Sequence, residues 1–314
     1  MPVLIFGRPT RVLCALLVVS GCDSGARSRR QSGDANTSAS NAVAAARELR
    51  DDFGRTISFS APARRVVSLN PTTTETIFAI GGGSRLIGRS HWDVWPSQAL
   101  AVPDLGNGIG PNVEAIVAAR PDLVVLYASE DNRPAAERLE AAGIRTLALR
   151  IDRIADFDRS IRILGRALDD TSGAKLVADT VRASLRRVAN ATRSLRRVTV
   201  VWPLMDTSPM VVGGGSFVNE LLEIAGARNV YADLLRPSPM VSIEDIVARN
   251  PEFVIRGGEG GSASGLSGAW RAVPAVQHDR VIRVPLTLVL RPSVQMGAAA
   301  AEIARAVHPG IAIP

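Results

Sequence analysis

The residues best equipped for chemistry stand together in RSHWDVWP, Arg89 to Pro96. His91 and Asp93 could form an acid–base pair, and Trp92 and Trp95 could stack on a flat partner. A hydrolase would need a nucleophile or a metal beside that pair. Neither is legible. No G-x-S-x-G elbow occurs, and the only histidines are His91, His278 and His308, too scattered for a ligand set. Binding through aromatic and polar contacts is therefore the chemistry to expect, with no cofactor, no metal and no enzyme activity.

Charge excludes another class. The formal net charge is +7, carried almost entirely by arginine, since Lys175 is the only lysine. Arg182, Arg186, Arg187, Arg193 and Arg196 recur along one predicted helix, but no aromatic residues interleave with them. They read as a solvated face rather than a nucleic-acid surface.

The elements that must position these residues alternate. A short N-terminal apolar run, VLCALLVV, follows Arg8 and Arg11 and ends in VVSGC. It is too short for a mature membrane span. VVSGC resembles the lipobox of bacterial lipoproteins, which implies cleavage after residue 21 and a lipid on Cys22. Cys14 would leave with the leader, and no disulfide would remain. Residues 22–55 read as a flexible tether, in which NAVAAARELRDD could form a short helix. From there strands such as RVVSL, LIGRS and DLVVLYA alternate with amphipathic helices, as in an open α/β sheet with right-handed crossovers. Thr72 and Glu75 have the spacing of a capping box. Around Thr171 to Arg197 the rhythm breaks into one long apolar stripe, Val177, Val181, Leu185, Val188, Thr192 and Leu195. Alternation then restarts with VTVVW. The expected plan is a first lobe at 56–168, a spanning helix at 169–197 and a second lobe at 198–314.

The halves repeat one another. NVEAIVAARPDLVVL and SIEDIVARNPEFVIR place Glu114 and Pro121 at the same offset, 130 residues, from Glu244 and Pro251. Glu75 stands six residues before Gly81, as Glu220 does before Gly226. Local physics explains a helix cap at Asn112 and Ser242 and a proline stop.

These stretches, with RRVVSLNPTTTETIFAIG and VPDLG, resemble the periplasmic binding proteins that deliver iron-siderophores, haem or cobalamin to ABC importers. The resemblance spans about Phe53 to Pro309. It implies two Rossmann-like α/β lobes joined by a single long helix, with a ligand cleft between them. It also implies a monomer, lipid-anchored in the cell envelope, that docks on a permease dimer served by ATPase subunits. Glu114 and Glu244 match the position of the docking glutamates, one per lobe. A hydrolase or a scaffold on the same fold is the remote alternative.

The resemblance also suggests where a ligand lies. Family members place an aromatic and an acidic residue in a loop like HWDVWP, which points to Trp92, Asp93 and Trp95. Tyr127, Trp202 and Arg256 stand at strand ends where a cleft ligand is expected, and Arg291, in VLRPS, stands where related sequences carry a similar Arg-Pro or Arg-Ala step. The turn VVGGGSF could bring backbone amides to a ligand. Cobalamin-binding members carry a tryptophan before each docking motif. Here the segments read DLGNG and RPSPM, which leaves a corrinoid, a ferric siderophore and haem all open.

Overall fold

The computed structural model describes residues 47–258, 266, 268–289 and 291–314. The expected leader, Cys22 and most of the expected tether lie outside the described residues. Arg47–Arg50 (β1) is a strand, not the helix expected from its composition, and it pairs antiparallel with Thr56–Phe59 (β2). The reason is tertiary. Leu49, Ile57 and Phe59 alternate into the core, and the buried Asp51 carboxylate accepts from the Phe53, Arg55 and Ala148 amides. The folded body thus includes residues from Arg47 onward that the sequence assigned to a tether.

The first lobe follows as Val66–Ser68 (β3), Pro71–Ala79 (α1), Leu86–Arg89 (β4), Val113–Ala118 (α2), Leu123–Tyr127 (β5), Arg133–Ala141 (α3) and Arg145–Leu149 (β6). Its sheet has the order β4-β3-β5-β6, parallel throughout. Ile154–Leu168 (α4) packs beside α1. Both sheet faces are covered, so the strands read as nearly continuous β-branched and leucine runs. Leu123, Val125, Leu147 and Leu149 enter one core, while Val67, Val124 and Leu126 enter another beneath α2 and α3.

Thr171–Thr192 (α5) is 22 residues long, about 33 Å. Asp170 caps it through the Gly173 amide. The helix ends before Leu195, which lies in the turn beyond. Its buried stripe, Ala174, Ala178, Val181, Leu185, Val188 and Thr192, packs on α4 of the first lobe and on two helices of the second. Each of the larger side chains contributes about 1.5–3 kcal/mol by leaving water. Among the described residues, no helix is long and apolar enough to cross a membrane.

The second lobe runs Val198–Val201 (β7), Pro203–Met205 (β8), Met210–Val211 (β9), Phe217–Ile224 (α6), Ala227–Asn229 (β10), Ile243–Arg249 (α7) and Phe253–Gly257 (β11). Pro274–Gln277 (α8), Val281–Val284 (β12), Leu286–Val289 (α9) and Met296–Val307 (α10) complete it. Its sheet is β10-β7-β11-β12, again all parallel. In each lobe the second strand flanks the first on one side and the third flanks it on the other, with the fourth outside. The β8–β9 hairpin is an addition to the second lobe.

The repeated sequence now has a detailed cause. Asn112 and Ser242 each accept the amide three residues on, from Ala115 and Asp245. Arg120 and Asn250, immediately before the prolines, both take left-handed backbone, φ 51° and 45°. The acidic residue after each proline then satisfies the start of the lobe's first strand. Asp122 accepts from the Arg64 and Arg65 amides, and Glu252 accepts from Thr199.

Candidate ligand-binding cleft

The parallel strands of both lobes end at one cavity of about 610 Å³. In each sheet the chain leaves the first and third strands to opposite sides, the arrangement that opens a crevice beyond the strand ends. The first lobe contributes Asn70 and Pro71 at the start of α1, Ser90 and Trp92 after β4, Tyr127 at the end of β5, and Asp152 after β6. The second contributes Trp202 after β7, Ser216 and Phe217 at the start of α6, Leu286 and Val289 of α9, and Arg291 with Pro292.

Of the expected ligand residues, Trp92, Tyr127, Trp202 and Arg291 line this cavity, and the other three are elsewhere. Asp93 is fully buried. Its carboxylate accepts from Thr74 Oγ1 at 2.7 Å, Ser90 Oγ at 2.8 Å and the Ser90 amide at 3.1 Å. Burial pushes its pKa above the usual range against those hydrogen bonds. Its work is to shape the loop that carries Trp92. Trp95 is half-exposed and off the cleft, and His91 stacks at a tilt on Trp92 with ring centroids 4.5 Å apart. Arg256 turns to Asp206 at 2.8 Å, bracing the β8–β9 hairpin, and is no cleft cation.

The glycine turn also differs from expectation. The Gly213 and Gly214 amides donate to the Pro237 and Leu234 carbonyls, so they are not available to a ligand. A Cβ on Gly213, Gly214 or Gly215 would collide with backbone oxygens of Arg236, Ala232 or Leu235. These glycines exist to let the 232–239 segment lie directly against the turn, and that segment brings Pro237 and Ser238 to the cleft. In the first lobe Asn132, fully buried, does similar work. It donates to the Gly108 and Tyr127 carbonyls and accepts from the Gly110 amide. The segments DLGNG and RPSPM therefore do reach the cleft, but with Asn, Gly, Pro and Ser in place of tryptophan.

Phe217 and Asp152 were not legible as site residues. Phe217 is the first residue of a helix whose periodicity places it in a core. Asp152 carries no motif; it accepts from the Tyr127 hydroxyl at 2.6 Å. Burial, with the Asp152 carboxylate, pushes the Tyr127 phenol well above its usual range, so it stays protonated. Among the described residues no cluster of His, Cys, Asp and Glu could hold a metal.

At the floor of the cleft each lobe reaches into the other. Glu75 of α1 does not close the expected capping box, because Asn70 caps the helix through the Thr72 amide. Instead Glu75 pairs with Arg291 of the second lobe, and Thr72 Oγ1 donates to the Pro292 carbonyl at 2.8 Å. Reciprocally, Glu220 of α6 accepts from Arg153 Nε and the Ile154 amide, both at 2.8 Å, and the Phe217 amide donates to the Asp152 carbonyl at 3.0 Å. The glutamates that recur six residues before a glycine are thus the two halves of one crossed joint. Each grips the segment leading into the last helix of the opposite sheet, α10 or α4.

The docking candidates lie away from this floor. Glu114 and Glu244 are exposed on the first turns of α2 and α7. Hydrogen bonding lowers both carboxyls below the usual range, through the Glu114 backbone and Arg138 in one case and the Glu244 backbone and Ser242 in the other.

Two parallel α/β lobes of one topology, bridged by a single helix and closed around an apolar cleft, define a two-lobe solute-binding protein. The profile of the periplasmic binding protein family matches residues 66–287, and this chain belongs to that family. It is 27% identical over 233 residues to a vitamin B12-binding protein of Vibrio parahaemolyticus, covering 74% of this chain and 85% of that one. An uncharacterised ABC transporter substrate-binding lipoprotein of Bacillus subtilis is 24% identical over 306 residues, 95% of each chain. The fold is shared with a periplasmic haem-binding protein from Roseiflexus sp. RS-1, with a TM-score of 0.69, 22% identity, and coverage of 78% of this chain and all of that one.

Proposed function

We propose that this protein is the lipid-anchored solute-binding component of an ABC importer and that its cleft captures a corrinoid. The observation that carries the ligand class is the balance of the cleft walls. Each lobe supplies aromatic surface, Trp92 and Tyr127 from the first and Trp202 and Phe217 from the second, while Arg291, the one arginine lining the cleft among the described residues, is already paired with a buried carboxylate. A ferric catecholate carries several negative charges and calls for several free cations. A corrinoid offers a broad, largely uncharged face. It is larger than the enclosed volume, and the exposed side chains of Trp92, Ile109, Leu204 and Leu286 at the cleft provide apolar surface for the excess. A flat haem would fit the same walls. Tyr127, held protonated by burial and Asp152, is poorly suited to ligate its iron.

Intrinsic tryptophan fluorescence titrated with cyanocobalamin, haemin, ferrichrome and ferric enterobactin tests the assignment. Quenching by cyanocobalamin at sub-micromolar concentration is expected. Saturable binding of a ferric siderophore alone would overturn the corrinoid reading.

For docking, Glu114 and Glu244 each present a carboxylate to a guanidinium on one of two permease subunits, powered by ATPase subunits. Replacing both with alanine leaves ligand affinity intact and abolishes uptake. A loss of affinity would assign them to the fold instead. Acylation at Cys22 holds the protein to a membrane of the cell envelope, and label from radioactive palmitate is expected to vanish in Cys22→Ala.

A further inference from the structure

The two arms of the crossed joint are chemically unequal. The Arg153–Glu220 arm is partly open to water, with side-chain exposures of 44% and 22%. In the other arm Glu75 is wholly buried, and Arg291, 18% exposed, stands between it and the cleft. Arg291 directs both Nε and Nη2 at a single oxygen, Glu75 Oε1. Glu75 Oε2 is buried with no partner, and Arg291 Nη1 has none among the described residues. An ionised oxygen left unpaired in such surroundings is costly, and protonation at Oε2 relieves it. Burial indeed pushes the Glu75 carboxyl up to about 7 against the opposing charge of Arg291.

Few other charges bear on it. Asp93, on the loop after β4, raises it slightly and has Arg89 beside it. Helix α1 carries no second titratable residue. The buried residues of α4, which packs on α1, include no ionisable group, and Arg85 in the turn after α1 is spent on the Ala63 and Leu168 carbonyls.

We propose that Glu75 is a positioning residue for an anionic group on the ligand: from the opposite lobe it aims Arg291 Nη1 into the cleft, and a proton taken up at Oε2 when the anion arrives frees the guanidinium charge for the ligand. The inference rests on the cleft being the solute site. It adds that the solute carries a phosphate or carboxylate, and that its capture is linked to a proton near neutral pH. A bound anion disfavours the ionised carboxylate behind Arg291, so binding and protonation reinforce each other.

Two pairs of probes test this, each differing in the anion. Cyanocobalamin carries a phosphodiester that dicyanocobinamide lacks, and haemin carries propionates that its dimethyl ester lacks. The phosphodiester does not itself titrate between pH 6.0 and 8.5. The wild type is expected to bind the probe that bears the anionic group about tenfold more tightly at pH 6.0 than at 8.5, with the counterpart lacking that group unchanged. Calorimetry in two buffers of different ionisation enthalpy should show proton uptake at pH 7.5. In Glu75→Gln, which mimics the protonated acid, affinity stays at the wild type's acid value, and both the pH slope and the proton uptake disappear.

A slope that persists in Glu75→Gln, or a wild type with neither slope nor uptake, overturns the inference while leaving the solute site standing. Failure of every probe to bind overturns both. Should the variant not fold, the wild-type slope and its absence with the probes lacking the anionic group decide the matter alone.

Discussion

Removing the guanidinium from the buried pair gives the sharpest test of its energetics. In Arg291→Met the aliphatic stem is retained and the charge is lost. Glu75 has a folded pKa of about 7, above its ordinary value of 4.5, because burial outweighs Arg291. Its contribution to stability is therefore fully present below pH 4.5 and is withdrawn as pH rises toward 7. Beyond that the wild-type carboxylate ionises in place, and its penalty stops growing. Without Arg291 the remaining influences, burial and Asp93, both raise the pKa, so in the variant the penalty continues to grow. Each pH unit is worth about 1.4 kcal/mol, so between pH 7 and 8.5 the variant loses about 2 kcal/mol more than the wild type does. Below pH 6, where Glu75 is largely neutral in both proteins, the difference shrinks to about 1 kcal/mol for lost hydrogen bonds. Urea unfolding at pH 5.5, 7.0 and 8.5 measures this directly. A destabilisation of equal size at all three values would show that Glu75 does not titrate in the folded protein and would refute the reasoning. Glu75→Leu in the same background should flatten the pH dependence, since no buried carboxyl remains to titrate.

The partner arm behaves differently. Glu220→Gln weakens the Arg153 pair and the cap on the Ile154 amide, and about 1 kcal/mol, or a Tm lower by about 2–4 °C in calorimetry, is expected. An unchanged Tm would mean the joint bears no load there. Gly214→Ala drives its new methyl group into the Ala232 carbonyl and should cost at least about 2 kcal/mol in urea unfolding while weakening ligand binding, because Pro237 and Ser238 are displaced; a neutral result would deny the close approach. Trp92→Ala removes a side chain that is 62% exposed, so stability should stay within about 0.5 kcal/mol while corrinoid affinity falls about three- to tenfold. Equilibrium dialysis checks the affinity, and an unchanged Kd would remove Trp92 from the site.

Much of this protein is written locally. Apolar runs of β-branched residues bounded by proline and glycine mark the strands, because a strand buried on both faces has no polar alternation to keep. The stripe from Val177 to Thr192 marks a long helix on periodicity alone, although the structure extends its buried face back to Ala174 and ends it before Leu195. The repeated Asn112 and Ser242 caps, and the prolines after each helix, act over a few residues and so are visible in a few residues. Three residues lining the cleft, Trp92, Tyr127 and Trp202, were accessible for the same reason: each lies at or just beyond the end of a recognisable strand, and strand ends are where such a fold opens. Arg291, which follows helix α9, was flagged by its Arg-Pro step instead.

What lies across the chain was not accessible. RELR has the composition of a helix and becomes a strand because Thr56–Phe59 offers it an edge and the core accepts Leu49. Asp93 has the look of a ligand residue, yet Thr74 and Ser90 surround it. The glycines of VVGGGSF serve a backbone segment some twenty residues on rather than a ligand. Above all, Glu75 matches a local rule for a capping residue but obeys a distant one, because Asn70 takes the cap and Arg291, 216 residues away in sequence, pairs with its buried oxygen. Sequence alone determined two like lobes and the helix between them, since those follow from periodicity and repeats. Which charges meet at the floor of the cleft was decided only by the tertiary structure, since burial and pairing depend on neighbours that no local pattern records.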